Sequence, residues 1–200
     1  QLRRRTANVR TSQYVPPIVA RIRPLQPDDA QGIEKVHKAA IRAFGSQAYD
    51  DVQVSAWAAT GSDETGWGIG DLTALDDDDR HAVVAEVDGD VAGFGRIRLG
   101  VIPDAPPDRL LALVDQPVAE VTAVYVHPQY ARKGHGSKIL AALETSAPDT
   151  EATVIGLLAA RNAVAFYESN GYETVACRPH VPAEGVKMKT VWMEKVCSGP

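Results

Sequence analysis

Two adjacent cations and two glycines stand just ahead of an apolar helical run in "HPQYARKGHGSKIL", His127 to Leu140. That combination suits the capture of an anion. The first amides of a helix have no partner within it, and the helix dipole places partial positive charge at the same end. Glycine admits an oxyanion to the backbone without a Cβ in the way, so Gly134 and Gly136 open the turn to a phosphate. Ser137 adds a hydroxyl, and Arg132 and Lys133 add charge. Two familiar glycine fingerprints do not fit. A Walker A loop needs four residues between its first glycine and Gly-Lys-Ser/Thr, which Gly-His-Gly-Ser-Lys does not supply. A dinucleotide fingerprint needs a third glycine where Ile139 stands.

Proton chemistry has its own candidates. Glu120 sits on a strand otherwise rich in Val and Ala, where burial would raise a carboxylate's pKa; a strand-end ion pair is the alternative. His127 and His135 stand at the mouth of the glycine turn and are expected to be solvated. His37 falls on an apolar helix face, as a packed histidine does, and His180 is placed where it could reach an acceptor pocket. None of these histidines has metal-ligand spacing, and the aspartates at 76–79 lack the Gly and Glu of a calcium loop. No metal is expected. Cys177 and Cys197 form no CxxC and are read as reduced thiols.

The elements that must position these groups follow in the order β-α-α-β-β-β-α-β-α-β-β. A first strand covers Ile18 to Leu25, and the run from Ala30 to Phe44 repeats apolar residues at helical spacing, with Asp28 or Asp29 as its cap. "YDDVQVSAWAA" reads as a second helix with Val52, Ala56 and Trp57 inward, followed by a glycine-rich loop. Two β-rich runs flank Asp88-Gly89-Asp90, a hairpin signal. After a Pro/Asp loop, "PVAEVTAVYVHP" is a long strand, and a helix spans Gly134 to Ser146. A buried strand "EATVIGLLA", a short helix from Asn162 to Asn170 and a final strand pair around a "PHVPAEG" loop complete a mixed α/β layout.

"VTAVYVHPQYARKGHGSKILAALE" resembles the central motif of the GCN5-related N-acetyltransferases, the GNAT superfamily, and "ARNAVAFYESNGYE" resembles a second hallmark of that family. Ala131 departs from the Arg or Gln usual at its place. The resemblance implies a central, mixed and splayed β-sheet of about seven strands flanked by about four helices. It implies an acyl-CoA-dependent N-acyltransferase that moves the acetyl group of acetyl-CoA to a primary amine in a ternary complex. It further implies that the loop of Ala131, Arg132, Lys133, Gly134, His135, Gly136 and Ser137 holds the pyrophosphate, largely through backbone amides. The main chain of Val124 and Val126 would pair with the pantetheine arm, and Asn162 would bind it or cap a helix. Tyr167 matches the family's general acid, and Glu120 has the spacing of the general base in histone-type members. A non-catalytic acyl-CoA-binding sensor or interaction module of the same fold is the alternative.

Composition sets the outer limits. Two hundred residues, 44% hydrophobic and 24% charged, suit one domain, expected over residues 18–197 behind a flexible arginine-rich tail at 1–17. Residues 1–23 hold six arginines and no acid, but the formal charge of -5 and the lack of interleaved aromatics argue against nucleic acid. The tail lacks the apolar core of a secretory signal, no run suffices to span a bilayer, and a cytoplasmic location is expected. The partners expected are a small-molecule or peptide amine and, by resemblance, a second copy of the chain paired through the terminal strands. Asp50, Asp51 and the 76–79 aspartates would draw in a cationic acceptor.

Overall fold

The structure is a computed structural model that describes residues 20–60, 80–113, 115–146 and 152–197. The arginine-rich tail, the glycine-rich loop after Thr60 and the aspartates at 76–79 lie outside the described residues. Seven strands form one sheet: β1 (Arg21–Pro24), β2 (Arg80–Val87), β3 (Asp90–Leu99), β4 (Val118–Val126), β5 (Val154–Ala160), β6 (Glu173–Ala183) and β7 (Val186–Val196). The helices are α1 (Ala30–Ala40), α2 (Asp51–Ala59), α3 (Pro107–Ala112), α4 (His135–Ser146) and α5 (Val164–Glu168). The strand order is β1-β2-β3-β4-β5-β7-β6, and β4 with β5 is the parallel pair in an otherwise antiparallel sheet. Among the described residues no helix is long and apolar enough to cross a membrane.

Side-chain alternation along the strands explains the two layers. Ala119 and Val121 of β4 join Ile155 and Leu157 of β5 under Ile139, Leu140 and Leu143 of α4. On the opposite face Leu25, Ile33, Val36 and Phe94 form the core beneath α1, and Ile41, Tyr49, Val54, Ala58 and Met188 the core beneath α2. The β2–β3 hairpin turns on Asp88 and Gly89, whose φ values of 51° and 87° are the two positive angles of a type I′ turn.

The strands at the centre do not stay together. The extra residue of a β-bulge on β4 is Thr122, since Arg96 faces Ala123 while Ile97 faces Val121. Pairing of β4 with β5 covers Val118 to Val121 and goes no further, although β4 runs on to Val126 and β5 to Ala160. The sheet therefore opens into a splay at Thr122, and β4 beyond it keeps a partner on its β3 side only.

Several expectations are corrected. Val52 is 67% exposed, and α2 turns Val54 and Ala58 inward instead. Asp29 caps nothing on α1: its carboxylate takes two bonds from Arg23, at 2.7 and 2.8 Å, and one from the Gln26 amide. The first helix ends as a π-turn over Ile41–Gly45 rather than as regular α-helix. The Pro/Asp loop gives way to an extra helix, α3, tied down by Arg109 Nε on Glu194 at 2.9 Å. The final strands also consume the expected "PHVPAEG" loop, leaving a turn at Glu184 and Gly185. Pro179 pairs with Lys189 and Pro182 falls at the irregularity between His180 and Ala183, positions that the edge strand β6 tolerates.

Candidate active site

The splay opens into two adjoining cavities. The larger, about 570 Å³, runs from the π-turn across the free edge of β4 to the glycine turn and α5. The smaller, about 180 Å³, lies under α1 and α2 against the β6–β7 hairpin and the loop before α3. Trp57, Thr122, Ala123, Tyr125, Leu158 and Ala160 line both, so the cavities meet where β4 and β5 part.

The glycine turn has the backbone of an anion site. Arg132 and Gly134 both have positive φ, at 62° and 79°, an alternation that lets successive amides face one anion. The amides of His135, Gly136 and Ser137 follow at the start of α4, where no intrahelical acceptor exists for them. A Cβ on Gly136 would come within 3.3 Å of the Phe166 ring, so glycine also allows α5 to lie close to the turn. Ala131, Arg132, Gly134, His135, Gly136 and Ser137 line the larger cavity. Lys133 does not; its ammonium donates to the Gln129 carbonyl at 3.2 Å and lies 5.7 Å from the centre of the Tyr130 ring.

Val124, Val126 and Asn162 line the same cavity. Asn162 is no helix cap, since Ala163 occupies the N-cap of α5 and no side chain bonds there. His135 is 1% exposed, against the expectation of a solvated ring, and neither ring nitrogen has a hydrogen-bond partner. Burial, then the charges of Lys138 and Lys133, lowers its pKa and keeps it neutral. The ring packs at the mouth of the helix while its amide remains part of the turn.

Tyr167 projects from α5 into the larger cavity, 8% exposed and edge-on to Phe166 and Tyr172. Burial raises its pKa, with a further contribution from Tyr125, so the phenol stays protonated at neutral pH. Glu120 lies on β4 and is 1% exposed. Its pKa is pushed up to about 8, first by burial, then by the charge and side-chain hydrogen bond of Asp104, with Arg98 opposing. Burial first, and the neighbouring carboxylate second, make Glu120 a proton-holding group. That outcome differs from the strand-end ion pair.

His37 and His180 both line the smaller cavity. His37 meets Tyr125 edge-on at 4.8 Å, and burial pushes its pKa down to about 4. His180 is lowered by burial, with Asp104 opposing.

Residues without a sequence signal hold the smaller cavity in shape. The Tyr49 hydroxyl donates to the Lys189 carbonyl at 2.8 Å and accepts from the Arg161 amide at 2.9 Å, which ties the segment before α2 to β7 and to the end of β5. Gln53 Nε2 donates to the Lys187 carbonyl at 2.7 Å. These contacts span 112 to 140 residues of chain, beyond the reach of any local pattern. Asp104, a lone acid in a proline-flanked loop, likewise carries no sequence signal and lines the smaller cavity. Cys177 and Cys197 are free. No His/Cys/Asp/Glu cluster among the described residues could hold a metal ion.

Comparison with known proteins agrees with this architecture. The family model described as acetyltransferase (GNAT) family matches residues 40–172, from the end of α1 through Tyr172. The chain belongs to the GNAT acetyltransferase family. A GCN5-related N-acetyltransferase from Rhodopseudomonas palustris, described as a class-II aminotransferase, superposes with a TM-score of 0.72 at 22% identity, covering 92% of this chain and 99% of that one. The PaiA N-acetyltransferase of Thermoplasma acidophilum, solved in complex with coenzyme A, gives 0.64 at 21% identity, covering 89% and 99%. A ribosomal-protein-alanine N-acetyltransferase from Brucella melitensis gives 0.59 at 19% identity, covering 88% and 99%. No curated protein sequence matches the chain. At these identities the structural neighbours speak for the fold, and the family match for acetyl transfer.

Proposed function

We propose that this acetyltransferase moves the acetyl group of acetyl-CoA directly to a primary amine while both substrates are bound. The meeting of two cavities at the splayed strands carries the reading: one has an anion turn at its far end, the other has acids and aromatic rings. The larger cavity holds the donor. Amides of residues 132–137 receive the pyrophosphate, and the free edge of β4 at Val124 and Val126 hydrogen-bonds the pantetheine arm as an added strand would. Asn162 lies beside that arm, and Lys133 contributes charge at the rim without touching the phosphates.

The smaller cavity holds the amine. Its compact volume between Phe94, Trp57, Tyr125 and Met188 favours a small amine with an apolar body. The amine gives up a proton toward the buried Glu120 through a group that borders the cavity and attacks the thioester carbon, and Tyr167 protonates the departing sulfur. Use of acetyl-CoA fits a cytoplasmic enzyme, and the exposed edge strand β6 is the surface a homodimer would use.

Calorimetry with acetyl-CoA tests the assignment of the loop. The parent should bind, and Gly134→Glu with Gly136→Glu should abolish binding, because carboxylates at the turn repel the pyrophosphate and block its approach. A parent that fails to bind acetyl-CoA refutes the reading. Binding without thiol release across a panel of amines would favour the non-catalytic acyl-CoA module.

A further inference from the structure

Asp104, in the loop between β3 and α3, has no part in the roles assigned so far. It lines the smaller cavity, facing the space that Glu34, His37, Lys38 and His180 also border. It also acts on Glu120, whose pKa its nearby charge helps to raise. Glu120 itself lines neither cavity. It is almost wholly buried, and its Oε2 has no hydrogen-bond partner. Alternation on β4, reset by the bulge at Thr122, puts Glu120 on the same sheet face as Ala123 and Tyr125, which do line the cavity. Asp104, which borders the cavity and acts electrostatically on Glu120, therefore links the buried carboxyl to the amine.

The other charges around the cavity leave Asp104 available. Lys38 is paired with Glu34 one helical turn before it. His37 is neutral above about pH 4, and burial lowers His180 as well. Arg98, across from Glu120 on β3, is the cation whose field reaches the buried pair.

We propose that Asp104 is the carboxylate that receives the acceptor's ammonium group and takes its proton, with Glu120 behind it as a positioning residue that shares that proton. The inference rests on the acetyltransferase reading above and gives the amine a specific landing point. The ammonium passes one proton to the pair, and the nitrogen lone pair forms the C–N bond at the thioester carbon. As the C–S bond breaks, sulfur takes the Tyr167 proton, and the proton shed by nitrogen restores that phenol through solvent. The pair then releases its proton to water, so the sum is ammonium plus acetyl-CoA giving amide, coenzyme A and one proton.

The test uses the protein loaded with coenzyme A and measures binding of 2-phenylethylammonium at pH 7 by calorimetry, with 2-phenylethanol as the uncharged control. The parent should prefer the ammonium by about tenfold or more, the size of a charge-assisted hydrogen bond. Asp104→Asn should erase that preference while binding the alcohol as before, Asp104→Glu should recover most of it, and Glu120→Gln should keep it. Loss of preference in a merely loosened cavity would weaken the alcohol equally. A parent that binds coenzyme A without preferring the ammonium overturns the role of Asp104 and leaves the donor assignment standing, as does an unchanged preference in Asp104→Asn. A parent that does not bind coenzyme A overturns both.

Discussion

The two walls of the cleft are built by different means. On the side proposed for the donor one continuous stretch, Val124 to Ser137, provides the open strand edge and the anion turn, and a second short stretch brings Asn162 and Tyr167. Its chemistry is mainly that of backbone amides, placed by a bulge, two positive φ angles and a helix start. The side proposed for the acceptor is assembled from side chains of α1, α2, the loop before α3, the end of β5 and the β6–β7 hairpin. The first wall rests on a few backbone conformations. The second can be altered one segment at a time, which suits a surface that selects among amines.

The largest effect should come from the wall of the larger cavity. Tyr167→Phe removes one hydroxyl from a ring packed between Phe166 and Tyr172. Loss of a general acid should lower kcat on the order of 100-fold, with acetyl-CoA affinity unchanged. Thiol release at saturating amine gives the first quantity and calorimetry the second. A kcat within threefold of the parent would show that the ring serves packing alone.

Glu120 should give the next effect, and it acts on two observables with opposite sign. With a pKa near 8, Glu120 is mostly protonated at neutral pH and cannot share the proton that Asp104 takes, so kcat/KM should climb as pH rises through about 8. Stability should move the other way. The folded-state pKa of about 8 lies above the usual 4.5, so the folded state holds the extra proton between those values and loses stability as pH rises from about 4.5 to about 8. Glu120→Gln should flatten both curves, measured as pH–rate profiles and as melting temperatures across the same buffers. An unchanged stability slope would mean that Glu120 does not hold its proton in the folded protein.

The same contrast between the walls explains how much could be read from the sequence. The wall of the larger cavity was legible, because a glycine turn opening an apolar helix and a Pro-stopped strand are local patterns, and Tyr167 sits at a fixed offset within a short motif. Glu120 was legible as a carboxylate on an apolar strand, but its neighbour was not, since Asp104 meets it through tertiary folding alone. His135 was misread as solvated because its position at a helix mouth says nothing about the surrounding chain that covers it. Val52 misled for a related reason: an apolar residue in the first turn of α2 was assigned to the core, while the cap at Asp50 and the anchor at Gln53 set the helix with Val54 and Ala58 inward. The π-turn and the splay leave no trace in hydrophobic periodicity, yet both border the larger cavity.

The smallest expected effect tests whether the acceptor wall can be loosened alone. Asp50 accepts from the Gln53 amide at 2.8 Å, and Gln53 in turn accepts from the Asp50 amide at 3.1 Å while donating to Lys187. This capping box therefore does two jobs, starting α2 and holding it to β7. Asp50→Ala should cost about 1 kcal/mol of stability, the usual loss for an N-cap, seen as a lower melting temperature. Because α2 carries Trp57 into the shared wall, the KM for the amine should rise by a few fold. The glycine turn and α4 lie across the sheet from α2, so acetyl-CoA affinity should hold constant. Equal losses in both affinities would mean that the two walls move as one body.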